Sequence, residues 1–181
     1  MKHLVEPIRE KREIFAIENY LMRKNFRNRL IFIFGINSGL RISDILKLDV
    51  KDIRGKSHIE LFEKKTKKYK KFPINQKLRR LLDEHIRGRE DNEPLFLSQK
   101  GYRLERSQTY RMLNEACKAV GVEANIGNHS MRKTFGFHHY KQFKDVAMLQ
   151  TIFNHSTPAV TLRYIGISQD EIDNSYRQFE L

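Results

Sequence analysis

Apolar residues recur at helical spacing through most of the chain. From Glu10 to Lys24, Ile14, Ile17 and Leu21 share one stripe, which predicts an amphipathic helix. Leu30 to Ile36 (LIFIFGI) is apolar almost all round, the pattern of a helix buried on every side. Ser38 and Gly39 break that run. Leu40-Arg41-Ile42-Ser43-Asp44 then opens a short helix, with Ser43 placed to cap it. The period next shortens to that of a strand: His58–Phe62 (HIELF) alternates, and Lys70–Ile74 (KKFPI) reads as its partner, with Pro73 ending it or marking an edge. Helical spacing returns over Gln76–Ile86, burying Leu78, Leu81, Leu82 and Ile86, and over Ser107–Val120, with Tyr110, Leu113, Cys117 and Val120 on one stripe. Ser130–Tyr140, Lys144–Phe153 and Ser168–Phe179 complete the helices. The pattern predicts a mainly α chain with one small antiparallel β-sheet, in the α+β class. No repeat or linker divides it, and 181 residues suit one domain that buries a core without disulfides.

Composition narrows the class. No uncharged apolar run approaches the roughly 18 residues of a membrane helix, and the start, MKHLVEPIREKRE, is too charged for a secretory signal. The lone cysteine, Cys117, cannot close an internal disulfide, which fits a reducing compartment. On its helical stripe it reads as a small core residue, not a nucleophile. These features predict a cytoplasmic protein that engages no membrane. The 35 Lys and Arg against 22 Asp and Glu leave a net charge of +13, which attracts polyanions, nucleic acid above all. A basic surface could serve solubility alone. Here the charge clusters: Lys64, Lys65, Lys67, Lys68, Lys70 and Lys71 crowd the turn between the two strands.

Common catalytic motifs are missing: there is no Walker loop, GxGxxG, HExxH, GxSxG or zinc-type Cys/His spacing. Asp49 and Asp52 could hold Mg²⁺ in a nuclease, but their polar turn makes them a helix start. What remains is basic. His129 and Arg132 open a helix (HSMRKTF) and point to one face near its N-terminus, a natural phosphate seat. Arg41, after the turn Asn37-Ser38-Gly39, is either an ion-paired structural residue or an anion ligand, with Asp44 placed to orient it in both cases. Of His138 and His139, one is expected to be a satisfied packing histidine and the other exposed.

Taken together, these segments resemble the catalytic domain of the tyrosine recombinase (phage integrase) family. SGLRISDIL resembles the box around the family's first catalytic arginine, matched by Arg41. EKKTKKYKKFPI resembles its β-hairpin with the catalytic lysine; Lys65, eight residues before Pro73, holds that place, with Lys67 the runner-up. HSMRKTF resembles the H-x-x-R box, matched by His129 and Arg132. FNHSTPAVTLRYIGI resembles the final box, with His155 nine residues before the nucleophile position, Tyr164. The match runs from about Glu10 to Ile167, nearly the whole chain.

The resemblance implies a tyrosine recombinase catalytic-domain fold and DNA strand cleavage and rejoining through a 3′-phosphotyrosyl bond, as in site-specific recombination and DNA integration. Arg41, Arg132 and His155 would hold the phosphate, Lys65 would protonate the leaving oxygen, and His129 would assist proton transfer at Tyr164. Neither a cofactor nor a metal is expected. The implied partner is double-stranded DNA, with self-assembly into a synaptic tetramer on it, a monomer or weak oligomer when free, and a place in the cytoplasm with the nucleoid. Lys64, Lys67, Lys68, Lys70, Lys71 and Lys133 are expected to contact backbone phosphates without reading bases. Residues 1–181 are expected to form a single catalytic domain, with the family's N-terminal clamp domain absent. That absence motivates an alternative, a catalytically idle DNA-binding accessory protein derived from a recombinase. Ser168 and Glu171 read as a capping box for a tail helix with Ile172, Tyr176 and Phe179 on one stripe, docking on its own domain or, as the resemblance implies, on a neighbouring subunit.

Overall fold

The computed structural model describes residues 5–167 and 176–180. Among these, the helices α1 (Lys11–Lys24), α2 (Phe26–Ser38) and α3 (Ile42–Ile45) lead into the strands β1 (His58–Phe62) and β2 (Tyr69–Pro73). Then follow α4 (Gln76–His85), α5 (Arg106–Ala119), α6 (Ser130–Phe143), α7 (Val146–Phe153) and α8 (Pro158–Ile165). The chain is mainly helical with one two-stranded antiparallel sheet, as the periodicities predict. No helix among the described residues is long and apolar enough to cross a membrane.

Helix α2 is the centre of the molecule. Leu30 to Phe34 are wholly buried, and the helix packs against α1, α4, α5 and α6. A helix enclosed by others needs no polar face, so its sequence is apolar all round. Gly39 ends it in the left-handed conformation (φ 61°), where glycine meets no steric cost. Ile17 and Leu21 of α1, Leu78 and Leu82 of α4, and Leu113 and Cys117 of α5 close around it. Cys117 is core, and burial pushes its thiol up to about 12. Asp49 and Asp52 form a capping box over a short 3-10 turn, Val50–Asp52, so they do start a helix.

A second, smaller apolar cluster joins α6, α7 and α8 through Leu149, Phe153 and Ile165. Tyr164 packs at its edge. The seam between this cluster and the α2 core is where the candidate site forms. Gly136 of α6 lets the seam close: a Cβ there would stand 2.6 Å from Ile165 Cγ2 and 2.7 Å from the Phe153 ring. Alanine would gain up to about 1 kcal/mol in helix propensity but would overpack two rigid neighbours, at about 1–3 kcal/mol. Overpacking wins, so Gly136→Ala should lower the denaturant midpoint by a net loss of about 1–2 kcal/mol; a midpoint that rises would show that the seam can give.

Several local expectations need correction. Ser43 lies inside α3; Arg41 takes the N-cap position, because the helix starts where Ile42 and Ile45 bury together. Tyr110 is 48% exposed. Thr109 takes the buried place instead, bonded to Arg106 O at 2.8 Å and Asn128 Oδ1 at 3.1 Å. Neither His138 nor His139 is exposed. His138 Nε2 meets Ile8 O at 3.0 Å, and the His139 ring packs between Phe135 and Phe143. The helix that carries Tyr164 has no counterpart among the predicted elements. Its signal is local: Thr157 caps it, accepting from Val160 N at 3.2 Å, and Pro158 fills its first turn. The tail element predicted over Ser168–Phe179 falls largely on residues 168–175, outside those described.

Candidate active site

Arg132 is the innermost of the candidate side chains, 1% exposed in the third position of α6. It is held from both sides of the seam. One guanidinium nitrogen donates to Gly39 O, in the turn before Arg41. The other donates to Phe153 O at 3.0 Å, at the end of α7, and the group lies 4.3 Å above the Phe153 ring. Two of its five N–H donors are therefore spent on carbonyls, leaving others for an anion. Arg41, outside α3, keeps 15% of its side chain exposed.

Between the arginines lies a carboxylate that spacing did not single out. Glu63 is wholly buried, with Oε1 3.0 Å from Arg41 Nη1 and 3.8 Å from Arg132 Nη1. Asp44 was expected to orient Arg41, but its Oδ1 accepts instead from Lys64 N at 2.8 Å. Glu63 does that work. Burial pushes its carboxyl up, but the Thr66 hydroxyl, Arg41 and Lys70 outweigh burial and hold it below the usual carboxylate range.

His129 occupies the N-cap position of α6 without making a cap bond, which leaves its ring to the site. Loss of solvent, then Arg106, Arg132, Arg41 and Lys65, hold its imidazole below the ordinary value, so it is neutral near pH 7. His155 Nδ1 lies 3.1 Å from Thr161 Oγ1, and its ring meets Tyr164 edge-on, centroids 5.0 Å apart. Burial, Arg132 and Arg41 lower the His155 value, with Glu63 opposing them. For Tyr164, burial raises the phenol above its usual value despite Arg132 and Arg41, so the cations do not by themselves make it a phenolate.

The hairpin lysines divide. Lys64, Lys65, Lys67 and Lys68 are exposed on the turn after β1, and Lys67 takes φ 58° there. Lys71 pairs with Glu60 at 2.8 Å on the outer face. Lys70 points inward, donating to Ile152 O at 2.9 Å, and burial beside Arg132 lowers it to about 8. Lys133 is also buried, its ammonium 5.1 Å above the Tyr164 ring, so it is placed to support that ring and not on an open surface. Arg41, His129, Arg132, His155 and Tyr164 thus come together, with Lys65 near enough to act on the His129 charge. Glu63 joins them through both arginines, with Thr66, Asn154 and Lys70 around it.

A model of the phage integrase family matches residues 9–171. The chain belongs to that family. A relative described as a probable integrase/recombinase, YoeC of Bacillus subtilis (strain 168), is 47% identical over 178 residues, covering 98% of each chain. Tyrosine recombinase XerC of Thermodesulfovibrio yellowstonii is 26% identical over 160 residues, which cover 83% of this chain and 53% of that protein. The chain therefore spans about half of that longer relative and nearly all of the shorter one. The DNA-bound structure of lambda integrase residues 75–356 superposes with a TM-score of 0.74 at 16% identity, covering 100% of this chain and 66% of the other. Family and fold make this chain a tyrosine-type site-specific recombinase, and none of these relatives is described as an accessory DNA-binding protein.

Proposed function

We propose that Tyr164 cleaves one strand of duplex DNA, with Arg41, Lys65, His129, Arg132 and His155 as its catalytic partners. What supports this reading most is Arg132, a buried guanidinium tied at once to the Arg41 turn and the His155 loop and close enough to Tyr164 to favour its ionised form against burial. The Tyr164 oxygen attacks phosphorus, the bond from phosphorus to the 5′-oxygen breaks, and a 3′-phosphotyrosyl bond remains. The phenol proton passes to neutral His129, and Lys65 gives a proton to the departing 5′-oxygen. Rejoining runs the same steps backward with a 5′-hydroxyl from another strand. Charge gathers on the non-bridging oxygens, where the forked arginines hold it. Thr161 Oγ1, which donates to Thr157 O at 3.3 Å, holds the His155 ring through Nδ1 at 3.1 Å and leaves Nε2 to the phosphate.

The duplex binds across the exposed lysine turn, which supplies backbone contacts without base readout. The exposed Lys64, Lys67 and Lys68 are the ones free to make them. We further propose assembly of several subunits on the DNA and work at the nucleoid, as family membership leads one to expect.

Incubating the protein with a nicked duplex tests the reading: a protein–DNA adduct that survives denaturation is expected, and its absence would remove the cleavage proposal. Lys65→Ala should slow adduct formation by roughly 10²–10⁴, the share of a general acid. A duplex with sulfur in place of the bridging 5′-oxygen needs little protonation, so it should recover most of that rate. If sulfur restores Lys67→Ala and not Lys65→Ala, the acid is the other lysine.

A further inference from the structure

The seam of the site is built around Glu63, which none of the proposed chemical steps uses. Its carboxylate touches every segment that carries a proposed catalytic group except α8. Oε1 faces Arg41 and Arg132; Oε2 accepts from Thr66 Oγ1 at 2.6 Å and from Asn154 Nδ2 at 3.4 Å. Thr66 adjoins Lys65, and Asn154 adjoins His155. The backbone of Glu63 closes the turn that carries Lys65: its N–H donates to Lys68 O at 3.0 Å, and its carbonyl accepts from Lys67 N at 2.9 Å. One side chain thus links the lysine turn, both arginines and the loop that leads to α8.

The contact with Arg41 is a short ion pair. Arg41 Nη1 and Glu63 Oε1 are buried and 3.0 Å apart, and charge and hydrogen bonding both tie the guanidinium to the carboxylate. An anion between two arginines otherwise fills the place that a DNA phosphate takes during the reaction. Glu63 lies on the opposite side from solvent, so it can hold both guanidinium groups without occupying that seat.

We propose that Glu63 is a positioning residue of the cleavage reaction, a buried counter-charge that keeps Arg41 and Arg132 aligned toward the phosphate seat and couples them to the lysine turn through Thr66 and to the His155 loop through Asn154. The charged groups facing it are Arg41 before α3, Lys70 of β2, Arg132 of α6 and His155 after α7; Asp44 of α3 acts on Lys70, and Tyr164 lies beyond Arg132. Its charge opposes the cationic cluster, holding up the values of Lys70 and His155. The cost of that arrangement is weaker attraction for DNA, exchanged for fixed geometry.

Glu63→Gln separates charge from shape. The amide carbonyl can still serve Thr66 and Asn154, but its NH₂ then faces two guanidinium groups, donor against donor. Single-turnover cleavage of the nicked duplex should fall roughly tenfold to hundredfold, the scale of a misplaced reacting group. Noncovalent affinity for the same duplex should stay level or tighten severalfold, since a negative charge under the phosphate is gone. The pH optimum should move to lower pH, because Lys70 and His155 lose the anion that holds their protons. Loss of rate and affinity together, with no pH movement, or no loss of rate at all, would overturn the proposal.

Should Glu63→Gln fail to melt cooperatively, Thr66→Val removes only the link to the lysine turn. It should slow cleavage of the ordinary phosphodiester by about tenfold and recover on the 5′-sulfur substrate; an unchanged rate, or a deficit that sulfur leaves in place, would equally overturn it. The inference rests on the cleavage reading above. Wild-type protein that forms no adduct removes that reading, whereas wild-type cleavage without the rate–affinity split removes only the role of Glu63.

Discussion

Tyr164→Phe should abolish the covalent adduct while leaving a folded protein that still binds duplex DNA within about twofold of wild type, because only the nucleophilic oxygen is lost. The ring's neighbours explain why the fold survives. Phe153 and His155 meet it edge-on at 5.5 and 5.0 Å, and Lys133 sits 5.1 Å above its face. All three contacts are made to the ring and survive in phenylalanine. The hydroxyl itself meets the Arg132 guanidinium, so its removal should lower the unfolding free energy by about 1.5–3 kcal/mol, the scale of a hydrogen bond to a charged group, and leave the fold in place. Denaturing gels read the adduct, and filter binding at matched salt reads affinity. An adduct that persists in Tyr164→Phe would place the nucleophile elsewhere, and a large loss of affinity would mean that the phenol binds DNA as well as attacking it.

The helices around α2 were legible because burial writes itself into spacing: a run such as Leu30–Phe34 can only be enclosed, and the stripes of α1 and α4 can only face it. The site was legible in part, for a different reason. Arg41, His129, Arg132, His155 and Tyr164 were recognised by resemblance of short boxes, and periodicity alone left each of them open between structural and functional roles. The structure brings them together through contacts that no box announces, such as the Gly39 and Phe153 carbonyls that hold Arg132.

Glu63 was missed, and Lys70 was read as a backbone-phosphate contact and not as an inward-facing residue, although strand parity carried a signal for both. Ile59, Leu61 and Glu63 alternate on the face of β1 that turns inward, and Lys70 is in phase with Phe72 on β2. A charged residue in register with core positions reads as an error of pattern until its partner is known, and here each partner lies in a distant segment. Six lysines in one turn also hid the distinction between the exposed ones and the one folded under. Helix α8 went unseen because it is short and follows a polar turn, so its Thr157-Pro158 start outweighed any apolar stripe as a signal. Tyr110 shows the opposite failure: helical spacing placed it inward, but Thr109 could satisfy a buried hydroxyl and fill less space.

Replacing Arg132 should have a double effect that replacing Arg41 should not. On the proposed cleavage reading both arginines hold the phosphate, so the loss of either should slow cleavage by roughly 10²–10³ or more, as for other donors to a developing charge. Only Arg132 is also a strut. Its guanidinium bonds the Gly39 carbonyl and the Phe153 carbonyl, stacks on the Phe153 ring, and stands 3.8 Å from the buried Glu63. Arg132→Ala leaves two buried carbonyls without donors and deprives Glu63 of part of its counter-charge, the kind of break that costs about 3–5 kcal/mol. Arg41→Ala removes a more exposed partner and leaves those carbonyl bonds in place, so its loss should be smaller. Arg132→Lys keeps the charge, but a single ammonium cannot reach both carbonyls or stack as the planar group does, so cleavage should stay low even where stability is partly restored. Urea unfolding and single-turnover cleavage, run on all three variants at a temperature where each is folded, separate the effects. If Arg132→Lys cleaves within tenfold of wild type, charge alone suffices at that position and the forked geometry has no catalytic part. If Arg132→Ala is as stable as Arg41→Ala, the seam is held by its apolar cluster, and Arg132 serves only the phosphate.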